Sequence, residues 1–241
     1  ILVIDPYLSD HLTRKYEGTG KPHVRMTACP ISSGLLAEVG VDLILSSHKH
    51  SDHMDPGTLP ELMKGSKRSV LVCPASLVDH AVSLGLPSDR VRPIEPGERF
   101  ECAGFHVRAI PSAHEGIDTD ASGRHLYLGF VVETPRLRLY HSGDSMRYEA
   151  LTAWLGSDPF DVFFLPINGR DPARGVAGNM SIDDALTLAS QCRPRYLVPH
   201  HYDMFTFNTA RVSDFEQAAS GLPEGVEARV LTCGERWEVR P

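Results

Sequence analysis

Residues 41–55 read Val41-Asp42-Leu43-Ile44-Leu45-Ser46-Ser47-His48-Lys49-His50-Ser51-Asp52-His53-Met54-Asp55. The first six residues are typical of a buried strand, and a polar turn follows them. That turn places four potential metal ligands within six positions, at His48, His50, Asp52 and His53. An extended segment that tightens into a turn brings such side chains into a small volume, and imidazole with carboxylate suits zinc, manganese or iron. The pattern therefore favours a metal site over an ordinary polar turn.

Three further candidate ligands each follow an apolar strand candidate. His114 comes after the alternating run 105–110 and lies near the start of a polar stretch, Pro111–Arg124, that we predict to be a long surface loop. Asp144 follows residues 137–141 through a glycine turn, and His201 follows residues 196–199. Sites in layered α/β folds favour the rim at the C-terminal ends of strands. We therefore expect these three side chains to join the first four.

Composition restricts the class of protein. The 241 residues are 41% hydrophobic, enough to fill a core, and their formal net charge is −7, which argues against a nucleic-acid partner. No apolar run of about 18 residues is present, so we expect no membrane span. The five cysteines lack CxxC spacing, which favours a reducing compartment. We expect a cytoplasmic protein whose partner is a small molecule, and formation of a homo-oligomer stays open.

Strand and helix candidates alternate along the chain. Apolar runs predict strands at Ile1–Asp5, Val41–Ser46, Ser69–Cys73, Phe100–Ile110, His125–Val132, Leu137–His141, Asp161–Ile167, Tyr196–Pro199 and Val226–Leu231. Helices are expected at Ser33–Glu38, Pro56–Met63, Ala75–Leu84, Ser145–Leu155, Ser181–Gln191 and Val212–Ala219. This order predicts an α/β or α+β fold with a single domain over residues 1–241. Because Ile1 already lies in a strand candidate, we expect the chain to be truncated at its N-terminus.

These motifs carry a family resemblance. The run His48-x-His50-x-Asp52-His53, followed in order by His114, Asp144 and His201, resembles the metal motif of the metallo-β-lactamase superfamily. Asp5 resembles the superfamily's first motif, a buried aspartate that supports the site. The resemblance spans nearly the whole chain and implies a four-layer αβ/βα sandwich. Within the superfamily, the chain is most similar to the ascorbate-6-phosphate lactonase-like group through residues 5–7, 139–145, 167–170, 179–181 and 198–203.

The resemblance also implies a role for each ligand. The first of two divalent ions, zinc or manganese with iron as a further option, would be held by His48, His50 and His114. The second would be held by Asp52, His53 and His201, with Asp144 bridging both. A metal-bridging hydroxide would attack the substrate, and Asp52 would act as the catalytic residue that orients it or moves its proton. Asp5 and Asp203 would hold histidine rings by accepting a hydrogen bond from the ring N–H that does not face the metal. A turn or cap role for Asp203 is an equal alternative.

Substrate contacts are expected beside the metal rim. Asn168, Arg170 and Arg174 follow the strand candidate 161–167, and arginine binds phosphate or carboxylate through two parallel hydrogen bonds. With His200 and Tyr202 beside His201, these residues could hold an anionic group; solvated surface arginines are the alternative. Lys49 is expected to point away from the metals and is given no role.

Three functions stay open from the sequence. The first is a binuclear metal-dependent hydrolase that acts on a small anionic ester or lactone, a sugar-phosphate lactone among them. The second is a metal-dependent phosphodiesterase acting on cyclic nucleotides, lipids or RNA. The third is a non-catalytic metal- or ligand-binding module. His50 favours hydrolysis, since the flavodiiron oxidoreductases of similar fold carry a glutamate there, and the complete ligand set argues against the non-catalytic reading.

Overall fold

The computed structural model describes residues 1–239. Its strands are β1 (Leu2–Ile4), β2 (Leu43–Leu45), β3 (Val70–Pro74), β4 (Val91–Ile94), β5 (Arg99–Cys102), β6 (Phe105–Pro111), β7 (Leu128–Glu133), β8 (Arg138–His141), β9 (Val162–Pro166), β10 (Tyr196–His200) and β11 (Glu227–Ala228). Its α-helices are α1 (His11–Lys15), α2 (Ser33–Val39), α3 (Leu59–Gly65), α4 (Val78–Ser83), α5 (Leu151–Leu155), α6 (Ile182–Cys192) and α7 (Val212–Ala219). No helix within residues 1–239 has the length and apolar character needed to cross a membrane.

The strands form two sheets. The first has the order β1-β2-β3-β4, and all its neighbours run parallel. The second has the order β11-β10-β9-β8-β7-β6-β5. Its β5 to β8 half is an antiparallel meander, whereas β8 to β11 are joined in parallel.

Three apolar cores hold the layers together. Leu43 and Leu45 of the first sheet pack against Phe130 and its neighbours on the second. The side chain of Ile44 points to the opposite face of β2 and packs among helices α2 to α4, while Phe163 packs among α5 to α7. A strand with apolar residues on both faces is buried on both sides. The result is a helix–sheet–sheet–helix sandwich, as the sequence resemblance implies.

Local turn chemistry changes two of the predicted elements. The predicted strand Phe100–Ile110 is a hairpin, because Ala103 and Gly104 both adopt positive φ, at 50° and 83°. The predicted helix Ser145–Leu155 is helical only from Leu151. Its first residues instead bridge to the loop after β6, where the Met146 amide donates to the Ala113 carbonyl at 2.7 Å. That pairing ties the His114 loop to the Asp144 turn.

Other elements depend on contacts that periodicity does not show. Strand β4 was not predicted; it is a short edge strand that carries Arg92 and Pro93, and an edge position tolerates proline. Helix α1 was also not predicted, and it contributes one wall of the cleft described below. Ser181, the first residue of a predicted helix, is the N-cap of α6 and forms a full capping box with Asp184. The single domain over 1–241 stays a prediction, and its last two residues lie outside the described part.

Candidate metal centre

Seven predicted ligands come together where β2, β6, β8 and β10 end. His48, His53, His114 and Asp144 are buried, each with at most 6% of its surface exposed. The potential ligand atoms form three overlapping groups, and within each group they lie within 4.8 Å of one another. These groups are His48, His50 and His114; His48, His53 and Asp144; and Asp52, His53 and His201. The first and third groups match the two sets of ligands that the resemblance implies.

Asp144 lies between the two outer groups. Its Oδ1 is 3.3 Å from Nε2 of His53, and its Oδ2 is 3.2 Å from Nε2 of His201. Oδ2 is also 3.8 Å from Nε2 of His114, a member of the other group. One carboxylate therefore faces imidazoles from both groups, which is the position that a bridging ligand needs.

Asp5 supports the cluster from behind. Its Oδ1 accepts a hydrogen bond from the Ser47 amide at 2.7 Å, and its Oδ2 accepts from the Ser47 hydroxyl at 2.6 Å. Oδ2 also accepts from Nδ1 of His53 at 2.7 Å. A histidine that donates through Nδ1 keeps Nε2 free for a metal. Asp5 thus fixes both the tautomer and the orientation of the His53 ring.

Two further rings are oriented in the same way. The Nδ1 atom of His48 lies 3.0 Å from the Ser47 hydroxyl, whose proton is already donated to Asp5, so the ring is the donor. His114 donates through Nδ1 to the Gly178 carbonyl at 2.9 Å. Both rings therefore direct Nε2 into the cluster.

Arg170 helps to hold the segment that orients His114. Its guanidinium pairs with Glu115 at 2.7 Å, and Glu115 Oε1 accepts from the Gly178 amide at 2.8 Å. A side chain at position 178 would meet that of Arg170, because a Cβ there would lie 2.7 Å from Arg170 Cγ. Glycine is required for this close approach.

The histidines of the cluster are of two kinds, according to whether their pKa is lowered or raised. Burial lowers the pKa of His48 well below its ordinary value, and burial lowers that of His50 to about 4. Burial also opposes the charged form of His53, but the carboxylates of Asp144, Asp5 and Asp52 outweigh it and raise this pKa well above the usual range. The pKa of His201 is likewise raised, since Asp144 overcomes the effect of burial.

Asp144 has the opposite shift. Burial favours its neutral form, yet His201 and His53 together hold the pKa of its carboxyl well below the usual range. A buried, ionised carboxylate among imidazoles is a donor set that divalent ions prefer. Two buried atoms that face each other, Nε2 of His53 and Oδ1 of Asp144, have no hydrogen-bond partner within the described residues. The donor chemistry and these unpartnered atoms fit a metal ion.

The remaining predicted residues have other partners. Asp203 was expected to hold a histidine ring, and His201 is the nearest one in the sequence. Nδ1 of His201 is buried without a hydrogen-bond partner in the described residues, so Asp203 does not hold that ring. The Asp203 backbone instead forms a turn at φ 52°, with its amide donating to Thr209 Oγ1. This outcome corresponds to the turn alternative.

The five predicted substrate contacts do not line the cleft in the described part of the chain. Asn168 is buried and bonds to Asn179 and Asn208, and Arg170 pairs with Glu115 as described above. The Tyr202 hydroxyl donates to the Leu231 carbonyl at 2.8 Å, and the His200 ring stacks on His141. Arg174 also turns inward, where it donates to the backbone carbonyl of Asn168. These side chains brace the loops around the site.

An open cleft of about 730 Å³ leads to the cluster. It is lined by His50, Asp52, His114, Asp144 and His201. Further lining residues were not predicted from the sequence, namely His11, Lys15, Tyr16, His23, Lys49, His80, Tyr127, Phe205 and Phe207.

Lys49 was expected to point away from the metals because it lies between the two ligands His48 and His50, but it lines the cleft. The chain bends at 48–50 instead of continuing as a strand, so the alternation rule does not apply there.

His141 positions the turn that carries Asp144. Its Nδ1 accepts a hydrogen bond from the Gly143 amide at 3.1 Å, and its ring stacks on His200 with centroids 4.7 Å apart. Gly143 has φ 58°, and a Cβ there would lie 2.6 Å from Cβ of Ser47. The turn is therefore pressed against the residue that precedes His48.

Replacing His141 with phenylalanine is expected to weaken metal binding about 10-fold, the lower end of the effect of removing a residue that orients a ligand. The ring is kept, but the acceptor for the Gly143 amide is lost. Competition with a chromophoric chelator measures the metal affinity. Asparagine at this position retains an acceptor and should restore part of the affinity, whereas His106→Phe, half-exposed on β6, should have no effect. Unchanged affinity in His141→Phe would exclude this role.

A two-sheet sandwich with a buried histidine and aspartate cluster at its strand ends defines the metallo-β-lactamase fold. The profile of the β-lactamase superfamily domain matches residues 2–202. The UPF0173 metal-dependent hydrolase of Thermus thermophilus is 30% identical over 210 residues, which cover 87% of this chain and 86% of the relative. The chain belongs to the β-lactamase superfamily, as one of its metal-dependent hydrolases.

Two other similarities extend this comparison. The probable L-ascorbate-6-phosphate lactonase of Salmonella choleraesuis is 24% identical over 215 residues, and the match covers 81% of this chain but only 58% of the lactonase. The solved structure of Igni18, a novel metallo hydrolase from Ignicoccus hospitalis, is 21% identical with a TM-score of 0.65. That match covers 97% of this chain and 88% of Igni18. It supports the fold alone.

Proposed function

We propose that the chain is a binuclear hydrolase that acts on a small anionic ester or lactone. The observation that carries this proposal is the position of Asp144 between two separate groups of ligands. His48, His50 and His114 would hold one divalent ion, and Asp52, His53 and His201 the other. When bound, such ions lower the pKa of a water towards neutrality and polarise the substrate oxygen.

Asp52 is the residue best placed to handle a proton. Its Oδ2 is 3.6 Å from Nε2 of His53 and 3.9 Å from Nε2 of His201, and its side chain lines the cleft. A carboxylate that lines the cleft can accept a proton from an attacking water and pass it to the leaving group. Asp144 is less suited, because both of its oxygens lie closer to imidazoles, at 3.2–3.3 Å, and Asp5 is less suited because it accepts hydrogen bonds from Ser47.

Two lysines of the cleft provide contacts for an anionic substrate. Although the net charge of the chain is −7, Lys15 and Lys49 both line the cleft. Lysine side chains at a cleft can attract and orient an anion even on an acidic protein. The similarity to a probable lactonase supports a lactone as one substrate class. We propose zinc or manganese as the metal, with iron as a further option.

Metal analysis and a substrate panel on one sample test this function. Protein purified without added metal is expected to contain a divalent metal, with two ions per chain at saturation, and to hydrolyse a lactone or carboxylic ester. Prolonged chelation should remove both metal and activity, and the added metal should restore both. Full turnover by a metal-free sample would refute the proposal. Preference for bis(4-nitrophenyl) phosphate would favour a phosphodiesterase, and tight metal binding without any hydrolysis would favour a binding module.

A further inference from the structure

One side of the cleft is built from aromatic rings. Tyr16, His23, Phe205 and Phe207 all line it, and we call this set the aromatic wall. The rings of Tyr16 and His23 are stacked with centroids 4.0 Å apart and an interplanar angle of 14°. The His23 centroid is also 4.5 Å from that of Phe207 and 5.1 Å from that of Phe205. The four rings therefore form one continuous surface in the same cleft as the candidate metal centre.

Backbone hydrogen bonds hold the aromatic wall in place. The Met26 amide donates to the Met204 carbonyl at 2.9 Å, and the Thr206 amide donates to the Val24 carbonyl at 3.1 Å. The Thr13 hydroxyl donates to the His23 carbonyl at 2.9 Å. These bonds connect two segments that are about 180 residues apart in the sequence. A surface ordered before its ligand arrives loses less conformational entropy on binding.

The aromatic wall has a buried base and a partly exposed surface that faces the cleft. Tyr7, Leu12 and Phe205 are buried and form a small apolar cluster. Tyr16 and Phe207 pack on this cluster but stay only partly buried, and both contribute to the cleft. Ring surface thus remains available on the cleft side.

The wall is uncharged but has cations near it. Nδ1 of His23 donates to the Lys21 carbonyl at 3.1 Å, and burial lowers the pKa of this histidine, so its ring is neutral at pH 7. Lys15 and Lys49 are exposed and line the same cleft. Aromatic faces bind planar apolar groups, whereas the lysines attract an anionic group. A molecule with both features would match both surfaces.

We propose that the aromatic wall selects a substrate that carries an aromatic substituent beside its anionic or reacting group. This inference rests on the proposed function for the reacting group, because the cluster would receive the ester, lactone or phosphoryl oxygen. The wall supplies specificity, and Tyr16 and Phe207 are the residues that determine it. An unsubstituted or methyl-substituted analogue would leave the wall exposed to water.

Binding of two phosphonates tests the wall without requiring turnover. Calorimetry on the metal-loaded protein is expected to give a Kd for phenylphosphonate about 10-fold lower than that for methylphosphonate, as burial of one phenyl ring on aromatic faces suggests. Phe207→Ala should bring the two Kd values close together, whereas Phe207→Trp should preserve the preference. Val39→Ala removes a similar exposed apolar side chain on α2 and should change neither Kd. Circular dichroism checks folding, and Tyr16→Ala repeats the test at the second partly buried ring of the wall.

The outcomes separate this inference from the proposed function. Equal Kd values in the unaltered protein, no measurable binding of phenylphosphonate, or a preference that survives both alanine substitutions would overturn the aromatic wall as a specificity surface. Hydrolysis of γ-phenyl-γ-butyrolactone and γ-methyl-γ-butyrolactone is measured in parallel. If the protein binds phenylphosphonate more tightly than methylphosphonate but shows no metal-dependent hydrolysis, the proposed function is refuted and the aromatic wall stays supported. If hydrolysis is metal-dependent but the two phosphonates bind equally, the proposed function stays supported and the aromatic wall is refuted as a specificity surface.

Discussion

Replacing Asp144 with asparagine is expected to lower kcat/KM by at least about 10³-fold and to reduce the metal content of the protein. Asparagine has nearly the same shape, but it is neutral and offers a single acceptor oxygen. Its amide group would face Nε2 of either His53 or His201, at positions that the carboxylate oxygens now occupy 3.2–3.3 Å away. Elemental analysis and steady-state kinetics on the same preparation measure both effects.

A matched control separates the site from a general change in charge. Asp79→Asn makes the same substitution at an exposed position of helix α4 and should leave both metal content and kcat/KM unchanged. Near-ultraviolet circular dichroism should show that the asparagine variant of Asp144 keeps its tertiary packing. Full metal content together with unaltered kinetics in that variant would show that the carboxylate does not join the two groups of ligands.

Local sequence spacing is enough to explain why four of the candidate ligands lie close together. Four of the ligands lie within six consecutive residues, and a chain that turns after β2 cannot separate them far. His114, Asp144 and His201 were placed by a weaker rule, that functional residues favour the ends of strands. The structure brings them together because β6, β8 and β10 belong to one sheet whose ends face the same rim as β2. The position of each residue at the end of a strand therefore predicted proximity between residues as far as about 150 positions apart in the sequence.

The substrate side of the cleft could not be predicted in this way. Tyr16 and Phe207 have no shared periodicity, and their proximity depends on backbone pairing between residues 24–26 and 204–206. Arg170 and Arg174 were expected to bind an anion because arginine often does so. Arg170 instead pairs with Glu115 and Arg174 binds a backbone carbonyl, since loops around a buried site need donors of their own. Residue type alone does not distinguish these two uses of arginine.

Asp5→Ala is expected to lower the free energy of unfolding by about 3–5 kcal/mol and to weaken metal binding by roughly 10- to 100-fold. The substitution leaves the amide and hydroxyl of Ser47 and Nδ1 of His53 without their shared acceptor. It also places alanine at φ 47°, a left-handed conformation that aspartate and asparagine tolerate better. Urea unfolding and chelator competition measure the two effects separately.

Asp5→Asn distinguishes the backbone contribution from the lost acceptor. Asparagine keeps the tolerance for positive φ and one acceptor oxygen, so it should recover part of the stability while its amide group still opposes Nδ1–H of His53 or a Ser47 donor. Unfolding of the metal-loaded and the metal-free protein separates the two roles of Asp5. A ligand that binds only the folded state adds stability in proportion to its affinity, so a residue that supports metal binding must cost more stability in the loaded protein than in the metal-free protein. An equal loss in both forms would assign Asp5 to the stability of the turn that follows β1 and not to the orientation of His53.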